Sequence, residues 1–168
     1  MSWNDYYRRR DVMETVLRLA ARDPEGPLPF AEVSGAREAF GSEEQLLLAL
    51  HYKWTQVLSG HLRAELLGED DHVDAVTRAW RAAVRGNRAL RAVLDANLDR
   101  SPALRPVHEA EVRMLAIAAG LAEAGEPTAE VTKVGAAFST LLRQRPEPRR
   151  GRTRGPVGQL LKMLAPSA

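Results

Sequence analysis

A chain of 168 residues with 45% hydrophobic, 5% aromatic and 27% charged side chains is long enough for one compact domain, or for a small head joined to a bundle, around a real core. So few aromatic residues argue against a β-rich domain, and no apolar run approaches the roughly 20 residues of a membrane-crossing helix. The absence of cysteine excludes disulfides, thiolate nucleophiles and cysteine-based zinc sites.

The net charge of +2 conceals a division along the chain. Residues 143 to 168 hold six arginines, Lys162 and one glutamate, a balance of +6, so residues 1 to 142 carry −4. The body is acidic and the tail basic. The start, "MSWNDYYRRRD", has no apolar segment behind its arginines. A signal peptide needs one, so a cytoplasmic location is expected.

In chain order, Val12, Met13, Val16, Leu17 and Ala20 recur at three-to-four spacing and predict a helix over 5–22, stopped by "DPEG" at 23–26. "PFAEVSGAREAF" then has room for one short helix, or for two helical turns broken at Gly35. Ser42 and Gln45 form a Ser-x-x-Gln capping box, with Glu43 and Glu44 suited to the positive end of a helix dipole. A helix to about Leu67 should follow. Its apolar residues Leu46, Leu47, Leu50, Trp54, Val57, Leu58 and Leu62, widened by Leu48 and Tyr52, predict a spine contacted from two sides.

"GEDDH" at 68–72 supplies a break and a cap, after which Val73, Val76, Trp80 and Val84 mark a helix ending near Gly86. Asn87 is positioned to cap the next, with Leu90, Val93, Leu94 and Leu98 on its buried face. From Pro106 a helix with Val107, Met114, Leu115, Ala118 and Leu121 should run to a C-terminal cap at Gly125. The last strong pattern, over 127–143, carries Val131, Val134, Phe138, Leu141 and Leu142. Arg, Pro and Gly dominate 143–155, which reads as a linker, and "PVGQLLKMLAP" beyond it as a short amphipathic segment. The fold class is all-α: a small head and long linking helix over 1–67, a helical bundle over 68–143 and a tail over 144–168.

Chemical constellations are sparse. The chain lacks a phosphate-binding glycine loop, a nucleophile elbow and a His-Glu-x-x-His pair. His61 with Glu65, and His108 with Glu111, have the spacing of two metal ligands, but a site needs a third and fourth. A non-enzymatic protein without cofactor or metal is expected. Phosphates or an acidic partner have two candidate contacts, Arg8, Arg9 and Arg10 at the start and Arg149, Arg150, Arg152 and Arg154 in the tail. Against DNA binding by the head, residues 1–60 hold seven basic and nine acidic side chains. Tyr52, Trp54 and Trp80 are expected in the core, whereas Trp3, Tyr6 and Tyr7 are less easily buried.

This order of signals resembles the TetR family of bacterial regulators. "RRRDVMETVLRLAARDPEG" at 8–26 is similar to that family's basic first helix, "LPFAEV" at 28–33 to the opening of its second, and "FGSEEQLLLALHYKW" at 40–54 to the aromatic, cap and long helix that close its head. The texture from Val73 to Leu115 looks like its ligand-binding and dimerisation domain. One departure is marked. Six residues separate Val33 from Phe40, too few for two helices and a turn, because even two helical turns take about seven.

The resemblance therefore implies a reduced head without a recognition helix, and a regulator acting through a protein partner. A small apolar ligand in the bundle is a further input it allows. It also implies a homodimer built from 106–124 and 127–143, with Met114, Leu121, Val134, Phe138 and Leu141 at the contact. The alternative is a working DNA-binding transcriptional regulator with a compact helix-turn-helix.

Overall fold

The computed structural model describes residues 3–68 and 70–144, so the tail arginines Arg149, Arg150, Arg152 and Arg154 lie outside the described residues. The described residues form seven α-helices and no strand: α1 Trp3–Ala20, α2 Ala36–Phe40, α3 Glu43–Leu66, α4 His72–Gly86, α5 Arg88–Asn97, α6 Leu104–Ala118 and α7 Thr128–Gln144. No helix among them is long and apolar enough to cross a membrane.

Local chemistry sets several of the boundaries. The Ser42 hydroxyl accepts a hydrogen bond from the Gln45 amide at 3.2 Å, which starts α3, and the Asp71 carboxylate accepts from the Asp74 amide at 3.0 Å, which starts α4. Asn87 takes a different role from the one expected. Its side-chain amide donates backwards to the Ala83 carbonyl at 3.1 Å, so it closes α4 and gives α5 no side-chain cap.

The end of α6 also moves. Gly120, at φ +68°, takes the left-handed position, its amide donating to the Ile117 carbonyl at 3.0 Å while the Leu121 amide donates to Ala116 at 2.9 Å. That pair of bonds is a Schellman motif, which ends the helix before Gly125. At the other end α6 starts two residues ahead of Pro106, a harmless arrangement because amides in a first turn have no intrahelical acceptor.

α3 is the spine, as its wide apolar stripe requires. Leu46, Leu47, Leu50, Trp54, Leu58 and Leu62 are buried, with α4, α5 and α6 packed around them and α2 at the N-terminal end. Tyr52 departs from the expectation: it is 66% exposed, because the neighbouring helices cover the Leu50 and Trp54 directions and leave its own to solvent. α1 packs against α2 and α5. Its Val12, Val16 and Ala20 join the same buried cluster as Leu90, Val93, Leu94 and Leu115, so no gap in the core separates the head from the bundle.

Between α1 and α3 the chain stays close to that core. Leu28, Val33, Ala36 and Phe40 are buried, Phe30 packs against them, and Gly35 at φ +79° turns the backbone into the five-residue α2. Of the two arrangements the sequence allowed, the chain adopts turns broken at Gly35 followed by a helix little longer than one turn.

α6 and α7 form a hairpin whose close approach depends on Gly135. A Cβ placed there would overlap the Val112 carbonyl of α6, and the next residue on that face, Ser139, is also small and buried. Backbone cannot yield as a side-chain tip can. Gly135→Ala should therefore destabilise the fold by about 1–3 kcal/mol, the usual cost of overpacking, despite the better helix propensity of alanine. Urea unfolding followed by circular dichroism measures this; an unchanged or raised midpoint would contradict the contact.

Candidate functional site

The most concentrated chemistry lies inside the bundle, around the Glu111 carboxylate of α6. Its side chain is fully enclosed, and three helices supply its partners. From α3, His51 Nε2 lies 3.0 Å from Oε2, and the Trp54 indole Nε1 donates to Oε1 at 3.1 Å. From α5, Arg91 Nη1 donates to Oε1 at 3.2 Å. An ionised carboxylate can only accept, so His51 carries its proton on Nε2. His108 Nδ1, one turn before Glu111 on α6, stands 3.9 Å from Oε2.

Arg91 extends this node towards the surface. Its Nε and Nη2 grip Asp95 side-on at 3.1 and 2.7 Å, and Arg143 of α7 approaches the same carboxylate at 3.4 Å. The guanidinium also lies 5.1 Å from the ring centre of Trp54 and 5.6 Å from that of Trp80, whose rings meet edge to face at 5.3 Å. A buried cation is thus answered by two carboxylates and two aromatic faces.

Burial by itself pushes the Glu111 carboxyl up. The neighbouring imidazoles of His108 and His51, the charge of Arg91 and the Trp54 indole together outweigh it and hold the group well below the ordinary glutamate value. So held, the carboxylate is a poor proton acceptor and has little room for another partner. Its partners tie α3, α5 and α6 together.

At its outer side the node borders a cleft of about 440 Å3 between α4, α5 and the end of α7. Its lining combines Trp80, Val84 and Leu142 with arginine side chains from all three helices.

The residues singled out from sequence fall elsewhere. Arg9 stacks on the Phe40 ring at 4.4 Å, and Arg10 leans on Glu14 at 3.6 Å and Asp11 at 3.8 Å. Arg8 is exposed beside α2. Trp3 and Tyr7 stack with ring centres 6.1 Å apart, and both are exposed. Of the expected dimer residues, Phe138 is buried in the chain's own core and Met114 packs against that core. Val134 belongs to a small satellite cluster with Ala116, Ala122 and Val131. Leu121 and Leu141 are exposed, as is Ile117. Glu65 is taken by Arg78 at 2.8 Å, which links α3 to α4. Among the described residues no group of three side chains has the makings of a metal site.

Sequence reading placed Trp54 and Trp80 in the core and noticed Glu111 only as a neighbour of His108. It passed over Arg91. The missed signal was available: His51, Arg91 and Glu111 each interrupt an otherwise apolar helical stripe, and polar groups so placed must find one another.

Compared with models of known families, with curated proteins and with solved structures, the chain finds no match. What the fold defines is an all-α bundle organised about a buried ionic node.

The node makes a stability prediction. Removing the acceptor leaves Arg91 buried beside it with less compensation, so Glu111→Ala should cost about 3–5 kcal/mol in urea unfolding at neutral pH. Because the folded-state carboxyl titrates below its ordinary value of 4.5, its contribution is complete above that pH and is lost as the pH falls. The wild-type unfolding free energy should therefore drop more steeply under acid than that of Glu111→Gln. Parallel curves would dismiss the node as the cause.

Proposed function

We propose that this protein is a non-enzymatic, TetR-like helical regulator that acts by binding a partner, and that its head has lost the helix with which that family reads DNA. One observation carries the reading. The stretch between α1 and α3 holds a single five-residue helix, and its Ala36 and Phe40, together with Val33, are buried in the chain's own core. Groove reading needs a helix that projects several side chains towards base edges. Here the apolar side of that stretch is already committed to the core.

Charge supports the same view. Arg9 is stacked on Phe40 and Arg10 lies against Glu14, and the acidic balance of residues 1–60 opposes approach to a phosphate backbone. The low basicity of Glu111, the most buried carboxylate described, favours a structural part for it over a catalytic one. For self-association, the dimer of the resemblance would use Met114, Leu121, Val134, Phe138 and Leu141, of which Leu121 and Leu141 are exposed on the α6–α7 hairpin together with Ile117. Phe138 would support that surface from behind.

Fluorescence anisotropy with labelled duplexes of varied sequence tests the head. Binding should be weak, indifferent to sequence and steeply salt-dependent, and it should vanish when residues 145–168 are deleted. Tight, sequence-selective binding by the shortened chain would restore the DNA-reading alternative. Sedimentation velocity tests the pairing: Leu121→Asp with Leu141→Asp should convert a dimer into a folded monomer, and a sedimentation coefficient identical to wild type would remove the hairpin from the contact.

A further inference from the structure

The cleft between α4, α5 and the end of α7 has an unbalanced charge. Five arginines line it (Arg81, Arg85, Arg88, Arg91 and Arg143) against one carboxylate, Asp95. The contrast with the rest of the body is sharp, because residues 1–142 carry −4 in total. Arg91 is answered by Glu111 and Asp95, Arg143 approaches Asp95 at 3.4 Å, and Arg85 makes an interaction of its own. Arg81 and Arg88 form no ion pair among the described residues. Neighbouring guanidinium groups in a concave, partly apolar space repel one another more than they would in open water. An oxyanion placed between them would relieve that repulsion.

We propose that this cleft binds a small organic anion, a carboxylate or phosphate monoester attached to an apolar body. Arg81 and Arg88 grip the oxyanion, and Trp80, Val84 and Leu142 take the apolar part. Asp95 already displays the recognition chemistry, held side-on by two nitrogens of Arg91 at 3.1 and 2.7 Å. The planar fork of arginine suits carboxylate and phosphate oxygens equally. The volume, about 440 Å3, falls within the range of small-molecule sites, and the concave mixed lining fits a compact amphipathic ion better than the convex run of a nucleic-acid backbone.

The floor of the cleft is rigid for a reason independent of any ligand. Arg91 is locked between Glu111 and Asp95, so the aromatic wall at Trp80 is preorganised rather than formed on binding. The proposal does not depend on the regulatory reading and would hold for a protein with another role.

Isothermal titration calorimetry of the full chain with octanoate and octyl phosphate, accompanied by NMR of the Trp80 indole, tests the site. Saturable one-to-one binding that shifts the Trp80 signal is expected, weakened about tenfold or more in Arg81→Ser with Arg88→Ser, the loss expected for charged hydrogen bonds. Arg63→Ser with Arg105→Ser removes the same charge from exposed positions elsewhere and should leave affinity unchanged. Equal binding of 1-octanol, or equal loss in the two double variants, would overturn anion recognition, as would undiminished affinity in the first. Co-sedimentation with phosphatidylglycerol vesicles separates the sources of the anion: dependence on Arg81 and Arg88 assigns a lipid headgroup, whereas octanoate binding without co-sedimentation assigns a free ion.

Discussion

A single buried carboxylate constrains the arrangement of this molecule. Glu111 has no contact with water, so its charge can be kept only if donors from other helices converge on it, and His51, Trp54 and Arg91 do so at 3.0 to 3.2 Å. Apolar side chains tolerate sliding because dispersion has no direction, but these hydrogen bonds do not. α3, α5 and α6 are therefore fixed in rotation and register relative to one another. Arg91 passes the constraint outwards through Asp95 to Arg143, which ties in α7.

The head follows a different logic. Where the TetR resemblance leads one to expect two helices and a turn, the chain has room for turns and α2 alone. Leu28, Val33 and Phe40 use that room to seal one end of the core, and Arg9 covers the Phe40 ring from outside. The stretch between α1 and α3 is thus drawn inwards.

The acidic body and the arginine-lined cleft are linked through the node. Asp95 belongs to both: it holds Arg91 from the solvent side while Glu111 holds it from within. The inner charges are thereby balanced, and the positive character of the cleft falls to Arg81 and Arg88.

Much of the fold was legible in the chain itself. Apolar periodicity with Ser42 and Asp71 determined where the long helices lie, because capping and burial on one face are local, repeating demands. Gly125 is the stop that the pattern of α6 predicts, yet the helix ends at Gly120. The choice of Gly120 came with the burial of Ala122 and Val131 together at the hairpin turn, a contact no local pattern contains. Tyr52 shows the same limit: a wide stripe says that a helix is surrounded, not which edge of it stays uncovered. The sequence by itself determined an all-helical chain with only a short segment between its first two long helices. Only the tertiary structure decided that His51, Arg91 and Glu111, separated by 20 to 60 positions, would meet, because pairing buried charges is a long-range requirement satisfied by packing and not by spacing.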